Sequence, residues 1–364
     1  MFLNPAYYSI ILLPFITSFI VVCITTPICI IFIKKLGLLD DPKKHKHPAI
    51  LHTKPIPRGG GIPIFIGILV AGILFLPLTK ITIALFLAST IALLSGALDD
   101  KFDTSPHLRL AINILSALIV IGSGIGIPFI TNPVGGILAF NSFQTPFAFL
   151  GFHSLFIFSD LLALLWIVWV MNMLNWSKGV DGQMPGIVVI SAIVIGIVSL
   201  RFPINEVNTL ISAKLSFMIA GSALGFLIFN FSPAKIFPGY SATAVYLLLS
   251  VVSILSGAKL ATAILVMGVP MIDAGFTVIR RIASGKSPVW HDKKHLHHLL
   301  LKLGWSQRHI ALFYWIISAI LGTLSLTLTS TGKAFAIAML IVLAGGGLLF
   351  LHLVLRNIDE EEII

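Results

Sequence analysis

The sequence predicts an all-α, polytopic integral membrane protein, on the evidence of its composition and its long apolar runs. Of its 364 residues, 57% are hydrophobic and only 10% are charged, and a mean hydropathy of +1.03 lies far above the soluble globular range. Eleven apolar runs come near the roughly 20 residues that a helix needs to cross a bilayer. The runs are 8–33, 60–78, 81–98, 110–130, 156–174, 184–200, 211–231, 241–257, 260–279, 310–330 and 334–355.

The basic residues predict the orientation of these spans. When the loops are assigned alternately to the two sides, one side holds 19 Lys and Arg residues and the other holds five. By the positive-inside rule, the N-terminus then lies outside and the C-terminus in the cytoplasm. The net charge of +10 therefore faces the inner side of the membrane, and no nucleic-acid partner is expected. We expect one transmembrane domain over 1–364, with motifs at 34–308 and two spans and an acidic tail at 309–364.

The first predicted inner loop reads "HTKPIPRGGG" and contains His52 and Arg58. Three glycines at the start of a helix would let an anion approach the free backbone N–H groups. The neighbouring lysines have a simpler explanation, which is attraction to anionic lipid headgroups.

The second inner loop, "LDDKFDTSP", places Asp99 and Asp100 at the end of a predicted span. A charged residue within a membrane helix costs roughly 2.5–3.5 kcal/mol on insertion scales, so the pair requires water or a counter-ion. Paired carboxylates suit a divalent cation such as Mg²⁺. The alternative is a solvated acidic loop that only caps the next helix.

The third inner loop, "NMLNWSKGVDG", contains two amides, a base and an acid. Asn172 and Asn175 are three residues apart and so share one face of a helix. Lys178 and Asp181 follow in a glycine-containing turn. Either the amides hydrogen-bond a neighbouring helix, or all four side chains belong to one polar site.

The last inner loop contains Arg281 and the segment "DKKHLHHLLLKLG", with His295, His297 and His298. The segment lacks the i, i+4 histidine pair of a helical zinc site, and its basic neighbours would repel a cation. A basic patch suits phosphate binding through charge-assisted hydrogen bonds. Structural packing of the histidines and metal binding are the alternatives.

Together these motifs, with "FSPAKIFPG" before the eighth span, resemble those of the polyprenyl-phosphate N-acetylhexosamine-1-phosphate transferases, glycosyltransferase family 4. The similarity runs in order through about residue 308. It is stronger to the undecaprenyl-phosphate GlcNAc-1-phosphate transferase branch than to the related phospho-N-acetylmuramoyl-pentapeptide transferases.

The resemblance implies an enzyme of the inner (plasma) membrane with a cytoplasmic active site. Its expected reaction transfers N-acetylhexosamine 1-phosphate, first of all GlcNAc-1-phosphate, from a UDP-sugar to undecaprenyl phosphate and releases UMP. This would be the first membrane step of a cell-envelope polysaccharide. The lipid bilayer and a homodimer are the other expected partners.

The resemblance also implies roles for particular residues. Asp99, Asp100 and Asp181 are the expected catalytic residues, and Asp99, Asp100 and Asn175 are the expected ligands of Mg²⁺ or Mn²⁺. The expected substrate-binding residues are His52, Arg58, Asn172, Asn175, Lys178, Arg281, His295, His297 and His298.

Two positions depart from the family pattern. Lys178 stands where the family usually has an acid, and Tyr240 of "FPGY" replaces an aspartate implicated in Mg²⁺ binding. Three explanations are open for Tyr240: a metal shifted toward the remaining acids, a different metal arrangement, or lost activity. An inactive scaffold is therefore one alternative function. A transporter of lipid-linked sugars is another, since polar groups within the membrane would be expected there too.

Overall fold

The computed structural model describes residues 8–42, 53–132, 135–141, 144–149, 153–203, 205–255, 260–288 and 294–361, and it is predominantly helical. A π-helical turn, Tyr8–Leu12, leads into the first helix. The helices are α1 (Leu13–Lys35), α2 (Gly61–Phe75), α3 (Lys80–Phe102), α4 (Pro106–Gly122), α5 (Ile157–Trp176), α6 (Gln183–Ser199), α7 (Val207–Asn230), α8 (Thr243–Val252), α9 (Leu260–Val266), α10 (Gly268–Ala283), α11 (Leu296–Lys302), α12 (Gln307–Thr327) and α13 (Ser330–Glu361).

Within the described part of the connecting segments, there are three short antiparallel strand pairs. β1 (Leu39–Asp40) pairs with β2 (Ile56–Pro57) between α1 and α2. Between α4 and α5, β3 (Phe129–Thr131) pairs with β4 (Ile137–Ala139), and β5 (Gln144–Phe149) pairs with β6 (His153–Phe156). Turn-forming residues at 131–155 predict such hairpins.

The centre of the bundle is formed by α7 and α8. Helix α7 packs against α1, α2 and α6, while α8 packs against α3 and α5. Every residue of α8 is buried. Gly96 of α3 lies so close to the backbone of Ser241 that any Cβ there would collide with it. This close approach brings the end of α3 against the loop that precedes α8.

The helices agree with a polytopic membrane protein. Within the described ranges, α1 with its π-helical turn, α3, α5, α7, α12 and α13 are long and apolar enough to cross a membrane. The pair α9 and α10, bent by 85°, is a further candidate, and α2, α4, α6 and α8 are shorter apolar helices. Each of the eleven predicted runs overlaps one of these helices or the bent pair, although the run 110–130 continues beyond α4 into β3. How many cross the membrane, their orientation and the homodimer stay predictions.

Candidate active site

Charged residues from four separate segments meet a tyrosine from a fifth near the end of α3. We call this group the central cluster. It consists of Arg58 before α2, Asp99 and Asp100 at the end of α3, Arg109 in α4, Lys178 after α5, and Tyr240 before α8. Sequence positions more than 100 residues apart thus lie side by side.

Asp100 joins α3 to the loop that precedes α8. Its buried carboxylate accepts hydrogen bonds from the backbone N–H groups of Tyr240 (2.6 Å) and Ser241 (3.2 Å). It also forms an ion pair with Arg58, with 3.1 Å between Nε and Oδ1. Gly239 has a φ of +70°, and a Cβ at that position would collide with the Asp100 carboxylate. The glycine therefore permits both the left-handed backbone and the close contact.

Asp99 stabilises the connection between α3 and α4. Its Oδ1 accepts hydrogen bonds from Arg109 Nε (2.6 Å), and from the backbone N–H (3.0 Å) and hydroxyl (2.6 Å) of Thr104. The same arginine reaches Asp103 with Nη2, at 2.6 Å. Asp99 Oδ2 is buried and has no hydrogen-bond partner. One oxygen of the central carboxylates therefore keeps its acceptor capacity.

Lys178 and Tyr240 fill the space beside the two aspartates. Lys178 Nζ donates a hydrogen bond to the carbonyl oxygen of Gly239 (3.0 Å) and lies 5.6 Å from the centre of the Tyr240 ring. The guanidinium of Arg109 lies 5.3 Å from the same ring. Asn113 Nδ2 donates to the Tyr240 hydroxyl at 3.1 Å. The aromatic ring therefore contacts two cations, as cation–π geometry favours.

The ionisation of these two side chains follows from their surroundings. Removal from water, the largest cause, and repulsion by Arg58 lower the pKa of Lys178 to about 7. Burial raises the pKa of Tyr240 to about 12. Tyr240 consequently remains a neutral phenol at physiological pH.

The glycine motif has a role different from the predicted one. The N–H groups of Gly59 and Gly60 donate to Phe237 O, and that of Gly61 donates to Pro238 O. The prediction that these groups approach an anion is therefore wrong, because the loop before α8 already uses them. Close packing explains the glycines, since a Cβ at Gly60 or Gly61 would collide with this loop or with α7.

The histidines lie in a second group, which we call the histidine cluster: Trp176, Asp273, Arg281, His295, His297 and His298. Asp273 of α10 organises it, with Oδ2 at 2.9 Å from His295 Nδ1. Asp273 Oδ1 accepts a hydrogen bond from Leu296 N at 2.8 Å. One buried carboxylate therefore orients the imidazole and holds the start of α11.

The side chains of this cluster are mostly used in packing. Arg281 is buried, lies 5.5 Å from the Trp176 ring and donates through Nη1 to Pro288 O (2.7 Å). The His297 ring contacts Gly179, and burial, followed by repulsion from His298, holds its pKa well below the ordinary value. These contacts favour the packing alternative for His295 and His297. Phosphate binding by the histidines stays a prediction, with His298 the most exposed of the three.

The remaining predicted residues lie around the turn 177–182. Asn172 donates to Val168 O within its own helix (2.8 Å), whereas Asn175 Oδ1 is buried without a hydrogen-bond partner. Asp181 Oδ2 accepts a hydrogen bond from Ala234 N (3.0 Å), and Asp181 N donates to Gln307 Oε1 (3.0 Å). His52 lies outside the described residues.

The predicted metal ligands do not fit a divalent cation as a set. Asp100 is held by Arg58 and two backbone N–H groups, and Asp99 Oδ1 is held by Arg109 and Thr104. Among the side-chain oxygens of the three predicted ligands, only Asp99 Oδ2 and Asn175 Oδ1 are buried without a hydrogen-bond partner in the described structure. Mg²⁺ prefers carboxylate and water oxygens, yet Lys178 occupies this cluster. Within the described ranges, no group of three His, Cys, Asp or Glu side chains is placed to hold a metal.

Several residues of these contacts are absent from the sequence-based candidates, among them Arg109, Asn113, Asp273 and Gln307. Asp273 carried a usable signal, because an acid within an apolar run is by default a candidate functional residue. The partners of Asn113 and Gln307 are more than 100 residues away, and no local pattern indicates them.

The apolar helices form a bundle, and charged residues cluster at the ends of α3 and α5. These features define the class of protein, which is a polytopic membrane protein with a polar site. A profile of glycosyl transferase family 4 matches residues 82–258. A probable undecaprenyl-phosphate N-acetylglucosaminyl 1-phosphate transferase of Bacillus subtilis is 32% identical over 330 residues, covering 88% of this chain and 85% of that protein. The chain belongs to glycosyl transferase family 4 and is an enzyme of the transferase class.

Two further relatives agree with the motif resemblance. Undecaprenyl-phosphate alpha-N-acetylglucosaminyl 1-phosphate transferase of Thermotoga maritima is 27% identical over 335 residues, covering 91% of this chain and 94% of that protein. A phospho-N-acetylmuramoyl-pentapeptide-transferase of Moorella thermoacetica is 26% identical over 330 residues, covering 86% and 97%. The family predicted from the five motifs is thereby confirmed.

Proposed function

We propose that the protein transfers N-acetylhexosamine 1-phosphate, first of all GlcNAc-1-phosphate, from a UDP-sugar to undecaprenyl phosphate at the cytoplasmic face. The names of its relatives support the general reaction. One structural observation carries the proposal: Arg58, Arg109 and Lys178 converge from three segments on two buried carboxylates. Such a convergence of cations suits substrates that meet through phosphate groups.

In the proposed reaction, an oxygen of the lipid phosphate attacks the phosphorus that bears the sugar. The bond from that phosphorus to the bridging oxygen breaks, and UMP leaves with the electron pair. Phosphoryl transfer of this kind depends mainly on positioning and on neutralising charge. Arg58 and Arg109 are held by Asp100 and Asp99, so their guanidinium groups are oriented before a substrate arrives.

The aspartates have different proposed roles. Asp99 Oδ2, buried and without a partner, is our candidate to accept a proton from the lipid phosphate. Asp181 would orient the acceptor through the loop that it holds by Ala234. Asp100, which bonds three groups of the protein, would act as a positioning residue.

The test is release of UMP by the purified protein in detergent with undecaprenyl phosphate. UDP-GlcNAc, other UDP-N-acetylhexosamines and UDP-MurNAc-pentapeptide would be compared. We expect lipid-dependent UMP release with UDP-GlcNAc. Asp99→Asn should reduce the rate about 100-fold or more, in the range for loss of a proton-transfer group, while Lys101→Ala, which changes an exposed side chain, should leave it unchanged. Folded protein that releases no UMP from any donor would favour the scaffold or transporter alternative.

A further inference from the structure

The carboxylates of the central cluster are neutralised by the protein itself. Asp100 pairs with Arg58, and Asp99 pairs with Arg109, which also reaches Asp103. A divalent cation bound by Asp100 would have to displace Arg58, and at Asp99 it would find only Oδ2 without a partner. It would also meet the ammonium of Lys178. The cluster is therefore built around fixed side-chain cations.

Lys178 is the cation of this group that forms no ion pair within 4 Å in the described structure. Its Nζ is fixed by Gly239 O (3.0 Å) and lies over the Tyr240 ring. An ammonium has three N–H donors, so this single hydrogen bond leaves donors for a ligand. Burial and repulsion by Arg58 outweigh the attraction of Asp100 and Asp99 and lower the pKa of Lys178 to about 7. A bound phosphate would favour the protonated ammonium.

Tyr240 contributes an aromatic ring to the cluster and not a carboxylate that could bind a metal. Its hydroxyl accepts a hydrogen bond from Asn113, and burial keeps it protonated. The centre of its ring lies within 6 Å of both Lys178 and Arg109. Tyr240 therefore supplies an aromatic surface that contacts two cations.

We propose that Lys178, together with Arg58 and Arg109, holds the pyrophosphate of the sugar donor in place of a divalent cation, so that donor binding does not require Mg²⁺. The identity of the donor rests on the proposed function. The metal independence rests on the contacts of the three cations.

The experiment measures equilibrium binding of UDP-GlcNAc to the full-length purified protein, in EDTA and in excess Mg²⁺, with inorganic pyrophosphate as the sugar-free probe. Removal of bound metal is verified by elemental analysis. We expect affinities in EDTA and in Mg²⁺ to agree within about threefold. Lys178→Met, which keeps the length of the side chain, should weaken binding of both probes about tenfold or more, as loss of a charge-assisted hydrogen bond predicts.

Two control variants make the result specific. Lys101→Met removes the same charge next to Asp100, but from an exposed side chain, and it should bind both probes as the wild type does. Lys178→Arg should retain most of the affinity because it keeps the charge. Thermal unfolding of each variant verifies that it is folded.

The outcomes separate this inference from the proposed function. Binding abolished by EDTA and restored by Mg²⁺, or wild-type affinity in Lys178→Met, would overturn the inference even if UMP is released. Metal-independent binding that needs Lys178 would support it even if the protein transfers no sugar. UMP release that persists in EDTA would support both.

Discussion

Asn in place of Asp100 should destabilise the protein, because this carboxylate links α3 to the loop that precedes α8. Its side chain is fully buried and accepts two backbone N–H groups while facing Arg58. An asparagine keeps one oxygen for one of these donors. Its NH₂ group would face the other donor, and Arg58 would lose its counter-charge.

The magnitude follows from these contacts. A hydrogen bond to a charged group contributes about 1.5–3 kcal/mol, and a buried donor left unpaired costs about 1–3 kcal/mol. The Arg58 side chain is 26% exposed, so water offsets part of the ion-pair energy that it loses. The destabilisation should therefore lie at the lower end of the roughly 3–5 kcal/mol for breaking a buried ion pair. We expect Asp100→Asn to cost about 3 kcal/mol.

Asp103→Asn is the matched control. The side chain of Asp103 is 70% exposed although it also pairs with an arginine, so its substitution should cost less than about 1 kcal/mol. Its left-handed φ of 48° is one that asparagine tolerates. Both variants would be heated in detergent at one scan rate and followed by tryptophan fluorescence. We expect a midpoint roughly 5 °C lower for Asp100→Asn only; equal midpoints for the two variants would refute the reasoning.

Three other predictions test the two clusters. Gly239→Ala should lower the thermal midpoint much more than Gly285→Ala, because both glycines have positive φ but only Gly239 faces a buried carboxylate; equal shifts would contradict this. Because His297 has a folded-state pKa well below 6.5, the unfolded chain takes up the proton first, so stability is full above pH 6.5 and falls as the pH drops below it. In His297→Gln, the thermal midpoint should fall less between pH 7.5 and 5.5 than in the wild type. An equal fall in both proteins would count against a lowered pKa for His297. Tyr240→Asp should weaken donor binding without metal, because the new carboxylate would pair with Lys178, and Mg²⁺ should restore part of the affinity. Undiminished binding in EDTA would argue against donor binding by Lys178.

The sequence was most informative about apolar segments and about which loops carry polar chemistry. Apolar runs depend on local composition, and each predicted run overlaps a helix or the bent pair α9 and α10. Arg58, Asp100 and Lys178 were predicted as site residues from separate motifs, and the structure brings them together. Whether they act in catalysis stays a prediction.

Pairings across the bundle could not be read from local patterns. Glycines at a helix start suggested free N–H groups, yet those groups bond the distant segment at Phe237 and Pro238. The acid and base of the third loop bond different residues of the segment before α8: Asp181 accepts from Ala234, whereas Lys178 donates to Gly239. Such choices depend on tertiary contacts, which periodicity and spacing do not specify.

The turn after α5 has adjacent residues in both clusters. Lys178 is bonded to Gly239 beside the aspartates, and Gly179 contacts the His297 ring. Because neighbouring Cα atoms are only about 3.8 Å apart, a shift of α11 that presses on Gly179 is transmitted along the backbone to the lysine. One peptide bond therefore connects the central cluster to the histidine cluster, so a displacement of this turn moves groups of both clusters together.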